Sequence, residues 1–258
     1  MDGMMNITRY PVLVFAVSFF GLAFSTWIGV FLARNRRDVG AEVHEDFGVV
    51  LGATLTLLAL LVGFTFSMAL GRYDQRKNYE EEEANTIGTE YARAGLLPAA
   101  DAAKVRALLL KYLDQRILFY STRDEQQLLQ IDAQTAKLQA ELWSAVQAPA
   151  VAQPTPVHAL AVAGMNDVLN RQGYTQAAWW NRIPIAAWSL MAAIAICSSA
   201  MVGFGARNAK AESRLLLILP LVISIAFFLI GDLDSPRGGL IRVIPQNLLS
   251  LAQSLRAQ

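Results

Sequence analysis

The sequence has few of the residues on which metal sites, disulfides and most catalytic sites depend. It contains one cysteine, Cys197, and two histidines, His44 and His158. One cysteine cannot form an intramolecular disulfide, and histidines without a second ligand at metal-binding spacing argue against a metal site. No nucleotide-binding glycine loop or nucleophile motif is present in the sequence. We therefore expect a protein that is not an enzyme and holds no cofactor.

Charged residues are also scarce, and four long segments of the chain contain none. They make up 17% of the chain and hydrophobic residues 54%, whereas about a quarter of a soluble domain is charged. The net charge of +1 creates no strong field toward nucleic acid. The apolar residues are concentrated in four runs without a charged residue, which is typical of segments that cross a lipid bilayer.

These four runs predict an all-α protein with four transmembrane helices. A bilayer core requires about 20 apolar residues in helical form. We expect a kink at Pro220, and Trp179 and Trp180 in an aromatic belt at the membrane surface. The predicted membrane helices cover residues 11–32, 47–70, 183–206 and 215–231.

The intervening polar segment predicts a helical bundle domain inserted between helices 2 and 3. Its apolar stripes have helical spacing, and no proline separates the second membrane helix from the residues up to Gly95. A helix from Phe47 to Gly95 would be about 73 Å long at 1.5 Å per residue. The predicted divisions are 1–70 for the first membrane hairpin, 71–182 for the polar domain, 183–231 for the second hairpin and 232–258 for a C-terminal turn and amphipathic helix.

Local signals place the elements of the polar domain and of the C-terminus. Thr122 and Glu125 have the spacing of a capping box, which predicts a helix start there. The proline-rich segment Ala148–Pro156 predicts a linker, followed by a helix from about His158 to Leu169. A short amphipathic helix should begin near Pro245.

Small residues recur every four positions in the apolar runs and predict close helix packing. In the first, second and third membrane helices they form the series Gly21, Ser25, Gly29; Gly48, Gly52, Thr56; Gly63, Ser67, Gly71; and Ala195, Ser199, Gly203.

Two acidic groups outside the apolar runs have competing interpretations. The run Glu80 to Glu83 fits a solvated helix face, and a site for a cation or a basic partner is the alternative. Asp232 and Asp234 follow the last apolar run, where carboxylates oppose the helix macrodipole and need a partner. Arg237, the backbone at 238–239 or a cation could serve, and we favour a salt-bridged turn.

Several of these stretches resemble a bacterial family of bestrophin-like membrane proteins. They are Gly63-Phe64-Thr65, the segment from Arg72 through Asp74 to Arg76, Glu83-Ala84-Asn85, and Asp232-x-Asp234-Ser-Pro-Arg237-Gly-Gly. The segment Arg72–Arg76 is also similar to the Arg-aromatic-x-Glu-x-Arg stretch of bestrophins, although its glutamate is absent here. Bestrophins also carry a calcium clasp, an acidic cluster after the last membrane helix, of which Asp232 and Asp234 would be a partial counterpart.

Bestrophins are pentameric anion channels lined by the second membrane helix, and the resemblance implies such a pore here. Its candidate lining residues are Phe64, Phe66, Leu60 and Ser67, although phenylalanines that face lipid or pack between helices are an alternative. A proton-coupled carrier is disfavoured because no Asp, Glu, Lys, Arg or His lies in the apolar runs. We expect a homo-oligomer in the inner membrane, pentameric if the resemblance holds, that conducts ions. A membrane sensor or scaffold, whose helical domain binds a partner or ligand, is the rival hypothesis.

Two features of the sequence give conflicting indications of the orientation in the membrane. Positive charges in the two short loops would place the large domain outside the cytoplasm. The resemblance to bestrophins would place the same domain inside the cytoplasm, so the two arguments conflict. The loop charges are Arg34, Arg36, Arg37, Arg207, Lys210 and Arg214.

Overall fold

A computed structural model describes residues 10–34, 41–206 and 214–257. Every regular element in these residues is helical and no strand occurs among them, which confirms the all-α class. Arg36, Arg37, Arg207 and Lys210 lie outside the described residues, as do the side chains of Arg34 and His44.

Eight α-helices make up the described chain. Four helical stretches are long and apolar enough to cross a bilayer, so the protein is a multipass membrane protein. A short 3₁₀ turn at Ala94–Leu96 follows the longest helix, and another at Leu215–Leu217 precedes the last apolar helix. The helices are α1 (Pro11–Arg34), α2 (Ala41–Arg93), α3 (Ala99–Ser121), α4 (Glu125–Ala152), α5 (Pro156–Trp180), α6 (Ile185–Gly205), α7 (Ile218–Asp234) and α8 (Gln246–Arg256).

The chain divides into two compact units, each formed by two segments. The membrane unit comprises Met1–Arg72 and Arg182–Ile241, and the bundle unit comprises Tyr73–Asn181 and Arg242–Gln258. Helix α2 contributes to both, because it is unbroken from Ala41 to Arg93.

In the membrane unit, α1 and α6 approach closely through two glycines. A Cβ atom at Gly29 would lie 2.0 Å from the carbonyl oxygen of Ala200, and one at Gly203 would lie 2.0 Å from that of Thr26. The Ser25 hydroxyl donates a 2.8 Å hydrogen bond to a carbonyl oxygen of α6. The backbones can come this close only because both positions lack side chains, which is how small residues drive helix packing in lipid.

The prolines of the second hairpin lie at helix starts. Helix α6 begins at Ile185, directly after Pro184. Helix α7 begins at Ile218, so Pro220 occupies its first turn. A first-turn proline loses no hydrogen bond because its N–H would have no acceptor within the helix. The kink that we expected at Pro220 is therefore not needed, and the helix extends three residues beyond Gly231 to Asp234.

The bundle unit is built from α3, α4, α5, α8 and the polar part of α2 around a continuous hydrophobic core. Fully buried side chains from all five helices form this core. They include Ile87, Leu109, Tyr112, Leu113, Leu142, Met165 and Leu248.

Two sequence-based details of the bundle were wrong. Helix α4 continues through Pro149 to Ala152, so the expected linker from Ala148 is reduced to a short turn before α5. Pro149 is buried, and its carbonyl oxygen accepts the final hydrogen bond of the helix. Packing therefore offsets the bond that a proline removes. Helix α5 extends to Trp180 rather than ending at Leu169.

The start of α4 and the position of Trp179 also differ from expectation. Asp124 rather than Thr122 caps α4, because its carboxylate accepts from the backbone N–H groups of Gln126 and Gln127 at 2.7 and 3.0 Å. Trp179 is buried in the bundle with its ring centroid 5.0 Å from that of Phe119, so it does not belong to an aromatic belt.

The glycine contacts give a direct test of helix packing. We expect Gly203→Ala to lower the thermal stability of the membrane unit, because its methyl group would overlap the α1 backbone. Gly21→Ala is the matched control, since a Cβ atom there meets nothing within 4 Å. Alanine also favours a helix over glycine by up to about 1 kcal/mol. Thermal unfolding of both variants in detergent measures the difference, and an equal response would contradict this packing.

Candidate functional site

The apolar part of α2 is far more exposed than the other apolar helices. Only 6% of its most apolar stretch is buried within the chain, against 28% to 39% for the other three candidate membrane spans. Phe47 at its start contacts Phe204 of α6, with ring centroids 5.6 Å apart. Beyond this contact most of its side chains are exposed. Such a surface must be covered by lipid or by other subunits.

The candidate pore-lining residues do not all share one face of α2. Leu60, Phe64 and Ser67 are exposed and lie within about 60° of each other at 100° per residue. Phe66 is also exposed but points about 200° away from Phe64. The two phenylalanines therefore cannot face the same axis.

The few buried residues of this part of α2 define its inner side. Leu58, Thr65 and Ala69 are buried and lie opposite Leu60 on the helical wheel. The face that carries Leu60 and Phe64 is thus the face directed away from the rest of the chain.

Four glycines in the apolar part of α2 and at its end make no close contact within the chain. A Cβ atom at Gly48, Gly52, Gly63 or Gly71 would meet nothing within 4 Å. These positions differ from Gly29 and Gly203, whose missing side chains allow close contacts between α1 and α6. The small-residue face of α2 is therefore free to pack against another chain.

Asp232 and Asp234 are held at the end of α7 by backbone N–H groups. The two oxygens of Asp232 accept from Leu240 and Ile241 at 2.6 and 2.7 Å. The oxygens of Asp234 accept from the N–H of Ile183 at 3.1 and 3.3 Å, and Arg72 Nη1 lies 3.5 Å from Oδ1. The backbone at residues 238–239 was one of the three possible partners in the sequence analysis, and the N–H groups that bind the two carboxylates are those of Leu240, Ile241 and Ile183.

These contacts supply the partners that carboxylates at a helix C-terminus require. Both aspartates are 1% exposed. Arg237 is half-buried and interacts within the protein. No group of three potential metal ligands occurs among the described residues.

Half of the acidic run on α2 is buried rather than solvated. Glu80 accepts from the Leu248 N–H at 2.9 Å and from the Asn247 side chain at 2.7 Å, so it caps the start of α8. Glu81 is exposed, and Glu82 forms an ion pair with Arg171 at the surface. The solvated-face interpretation therefore fails for Glu80.

Glu83 lies at the centre of a buried ion pair. It binds Arg116 through Nη2 at 2.9 Å and Nε at 3.3 Å, and it accepts from the Thr175 hydroxyl at 2.8 Å. Glu83 is 2% exposed and Arg116 is fully buried, so this carboxylate is not solvated either. Burial has the largest single effect on the pKa of Arg116 and lowers it, but the charge and hydrogen bond of Glu83 together with Tyr112 and Tyr120 raise it by more in sum, so the guanidinium stays charged.

The other residues of the charged motif differ in exposure. Arg76 is buried and has a partner in the protein. Asp74 and Asn85 are exposed. The structure therefore divides this motif, with Glu83 and Arg76 inside the bundle unit and Arg72 beside Asp234 in the membrane unit.

The sequence-family model named Bestrophin-like domain matches residues 12–248, which is nearly the whole chain. The chain belongs to the Bestrophin-like family. This confirms the family that the stretches within α2 and at the end of α7 resembled.

Solved structures show the same fold. A mutant bacterial bestrophin homologue from Klebsiella pneumoniae matches with 13% identity and a TM-score of 0.64, over 93% of this chain and 98% of that one. A structure of a homologue from the same organism, phased by zinc anomalous scattering, matches with 15% identity and a TM-score of 0.60, over 91% and 98%. No curated protein sequence matches the chain.

Two buried charged residues of this Bestrophin-like chain escaped the sequence analysis. Arg116 continues the apolar stripe of α3 after Tyr112, so its position on that stripe could have indicated a buried ion pair. Glu90 is 0% exposed, and neither of its oxygens accepts a hydrogen bond. It occupies the space over Gly164, where a Cβ atom would lie 2.0 Å from its Oε2 atom. A glycine 74 residues away gives no local signal of this contact.

The buried ion pair of the bundle predicts a large stability difference between two arginines. We expect Arg116→Leu to destabilise the protein by about 3–5 kcal/mol, because it leaves Glu83 buried without its cation. Arg171→Ala, which removes the surface partner of Glu82, should cost about 1 kcal/mol or less. Denaturant unfolding followed by far-UV circular dichroism provides the comparison, and similar costs for both variants would contradict the assignment.

Proposed function

We propose that this protein is a subunit of an oligomeric membrane channel for ions, with α2 lining the pore. The observation that carries the proposal is the exposed apolar part of α2, of which only 6% is buried within the chain. Several α2 helices around one axis would cover this surface, and the glycines with free space beside them would allow close packing between subunits. Membership of the Bestrophin-like family supports the same assembly.

Leu60, Phe64 and Ser67 are our candidates for the residues that face the pore. They share the α2 face opposite the buried residues Leu58 and Ala69. A ring of Phe64 side chains would form an apolar constriction, which can close a channel by excluding water. Phe66, on another side of the helix, would contact a neighbouring subunit or lipid.

The end of α7 would fix the position of the pore helix in this assembly. Arg72, directly after the apolar part of α2, lies 3.5 Å from Asp234, which also binds the backbone at the start of the second hairpin. This contact would hold the end of the pore-lining segment against the rest of its own subunit.

A small-molecule sensor is the second candidate function, and one surface of the bundle favours it. An open groove of about 450 Å³ between α2 and α5 is lined by Tyr79, Glu82, Asp167, Asn170, Arg171 and Tyr174. Its tyrosine rings stack with centroids 6.3 Å apart. The mixed charges and aromatic faces would suit a small polar ligand. A protein that lacks ion flux but gains thermal stability from such a ligand would support this function.

Ion flux from liposomes tests the channel function and the pore face together. We expect Phe64→Ala to change the flux severalfold, because it removes the apolar constriction. Phe66→Ala is the matched control on the other side of the same helix and should leave the flux close to that of the unmodified protein.

The opposite pattern, with Phe66→Ala altering flux and Phe64→Ala silent, would show that another face of α2 lines the pore. Absence of flux from the reconstituted, correctly folded protein across a series of anions and cations would contradict the channel function.

A further inference from the structure

Helix α7 has one exposed apolar face that ends at a buried carboxylate. Ile218, Val222, Ile225 and Leu229 are exposed along this face. Asp232 lies on the same side of the helix, within about 80° of Val222. Yet Asp232 is only 1% exposed, so another part of the chain must cover it.

The segment that follows α7 provides this cover. The chain turns back so that the backbone N–H groups of Leu240 and Ile241 bind the Asp232 carboxylate at 2.6 and 2.7 Å. Gly239 permits the approach, because a Cβ atom there would lie 2.5 Å from the Asp232 carbonyl oxygen. Leu240 and Ile241 are therefore held beside the last turn of a membrane helix.

The side chains of this segment are apolar and exposed. Leu240 is 76% exposed and Ile241 is 40% exposed. Their amide N–H groups are satisfied by Asp232 and need no water, which suits a backbone located where water is scarce.

We propose that Gly239–Ile241 is a membrane anchor whose leucine and isoleucine side chains insert among the lipids at the bilayer surface, beside the end of α7. Two side chains bury far less than the roughly 1,000 Å² of a specific protein interface. Insertion into a bilayer has no such minimum area, because its free energy scales with the apolar area buried. Asp232 would then hold the anchor at the depth of the helix end. The proposal holds whether or not the protein conducts ions.

Spin labels in nanodiscs of phosphatidylcholine and phosphatidylglycerol test this placement. The exposed Cys197 is first replaced by Cys197→Ser, and a label is attached to the full-length protein at Leu240→Cys. Val222→Cys serves as the reference for the membrane face. Leu129→Cys, an exposed position of the bundle, serves as the reference for water.

We expect the label at residue 240 to collide more often with oxygen, which dissolves in lipid, than with a water-soluble nickel chelate. The ratio of its oxygen accessibility to its chelate accessibility should be close to the same ratio at residue 222. A ratio equal to that at residue 129 would overturn the proposal. A label shielded from both reagents would also overturn it, because that result would place residue 240 in a protein interface.

A second substitution tests whether the turn holds the anchor in place. Gly239→Ala should displace the segment from Asp232 and raise the chelate accessibility at residue 240 severalfold, while leaving the label at residue 222 unchanged. An unchanged label at residue 240 in this variant would contradict the role of Gly239 and Asp232 in setting its depth.

Discussion

The dominant constraint on this protein is the apolar surface of α2 that its own chain leaves uncovered. Helices α1 and α6 pack with their backbones in contact, because Gly29 and Gly203 lack side chains at the crossing. The four glycines of α2 between Gly48 and Gly71 have no such contact. An apolar helix surface of this kind is stable only in lipid or against other protein, and its small residues leave room for another chain to pack. The proposed assembly follows from this difference between the helices.

In both units, buried carboxylates join separate segments of the chain by accepting hydrogen bonds. In the bundle, Glu80 caps α8 and Glu83 binds Arg116 and Thr175, so α2 is joined to α3, α5 and α8 through buried polar contacts. In the membrane unit, Asp232 and Asp234 bind backbone N–H groups at the end of α7. Buried carboxylates of this kind are costly without partners but specific when satisfied. They fix which segments meet, while apolar packing supplies most of the stability.

Local patterns in the sequence were sufficient for the helices but not for their partners. Four uncharged runs predicted the apolar helices, because a bilayer requires a continuous apolar length that is visible in one segment. The acidic run of α2 was interpreted as a solvated face. The residue whose N–H binds Glu80 is Leu248, which lies 168 residues further along the chain, and no local pattern indicates that contact. Pro149 likewise lies inside a helix because tertiary packing outweighs its local preference. The candidate pore-lining residues could be narrowed to one face of α2 only with the finding that Leu58 and Ala69 are buried.

The central claim is that copies of this chain assemble so that their α2 helices surround a common axis. Native mass spectrometry of the detergent-purified protein, repeated after transfer to lipid nanodiscs, tests it most directly. Our account predicts a closed ring of several identical subunits, five if the assembly is that of bestrophins. A monomer or dimer that persists in the nanodiscs would contradict it, because α2 would then face lipid and no central pore could form.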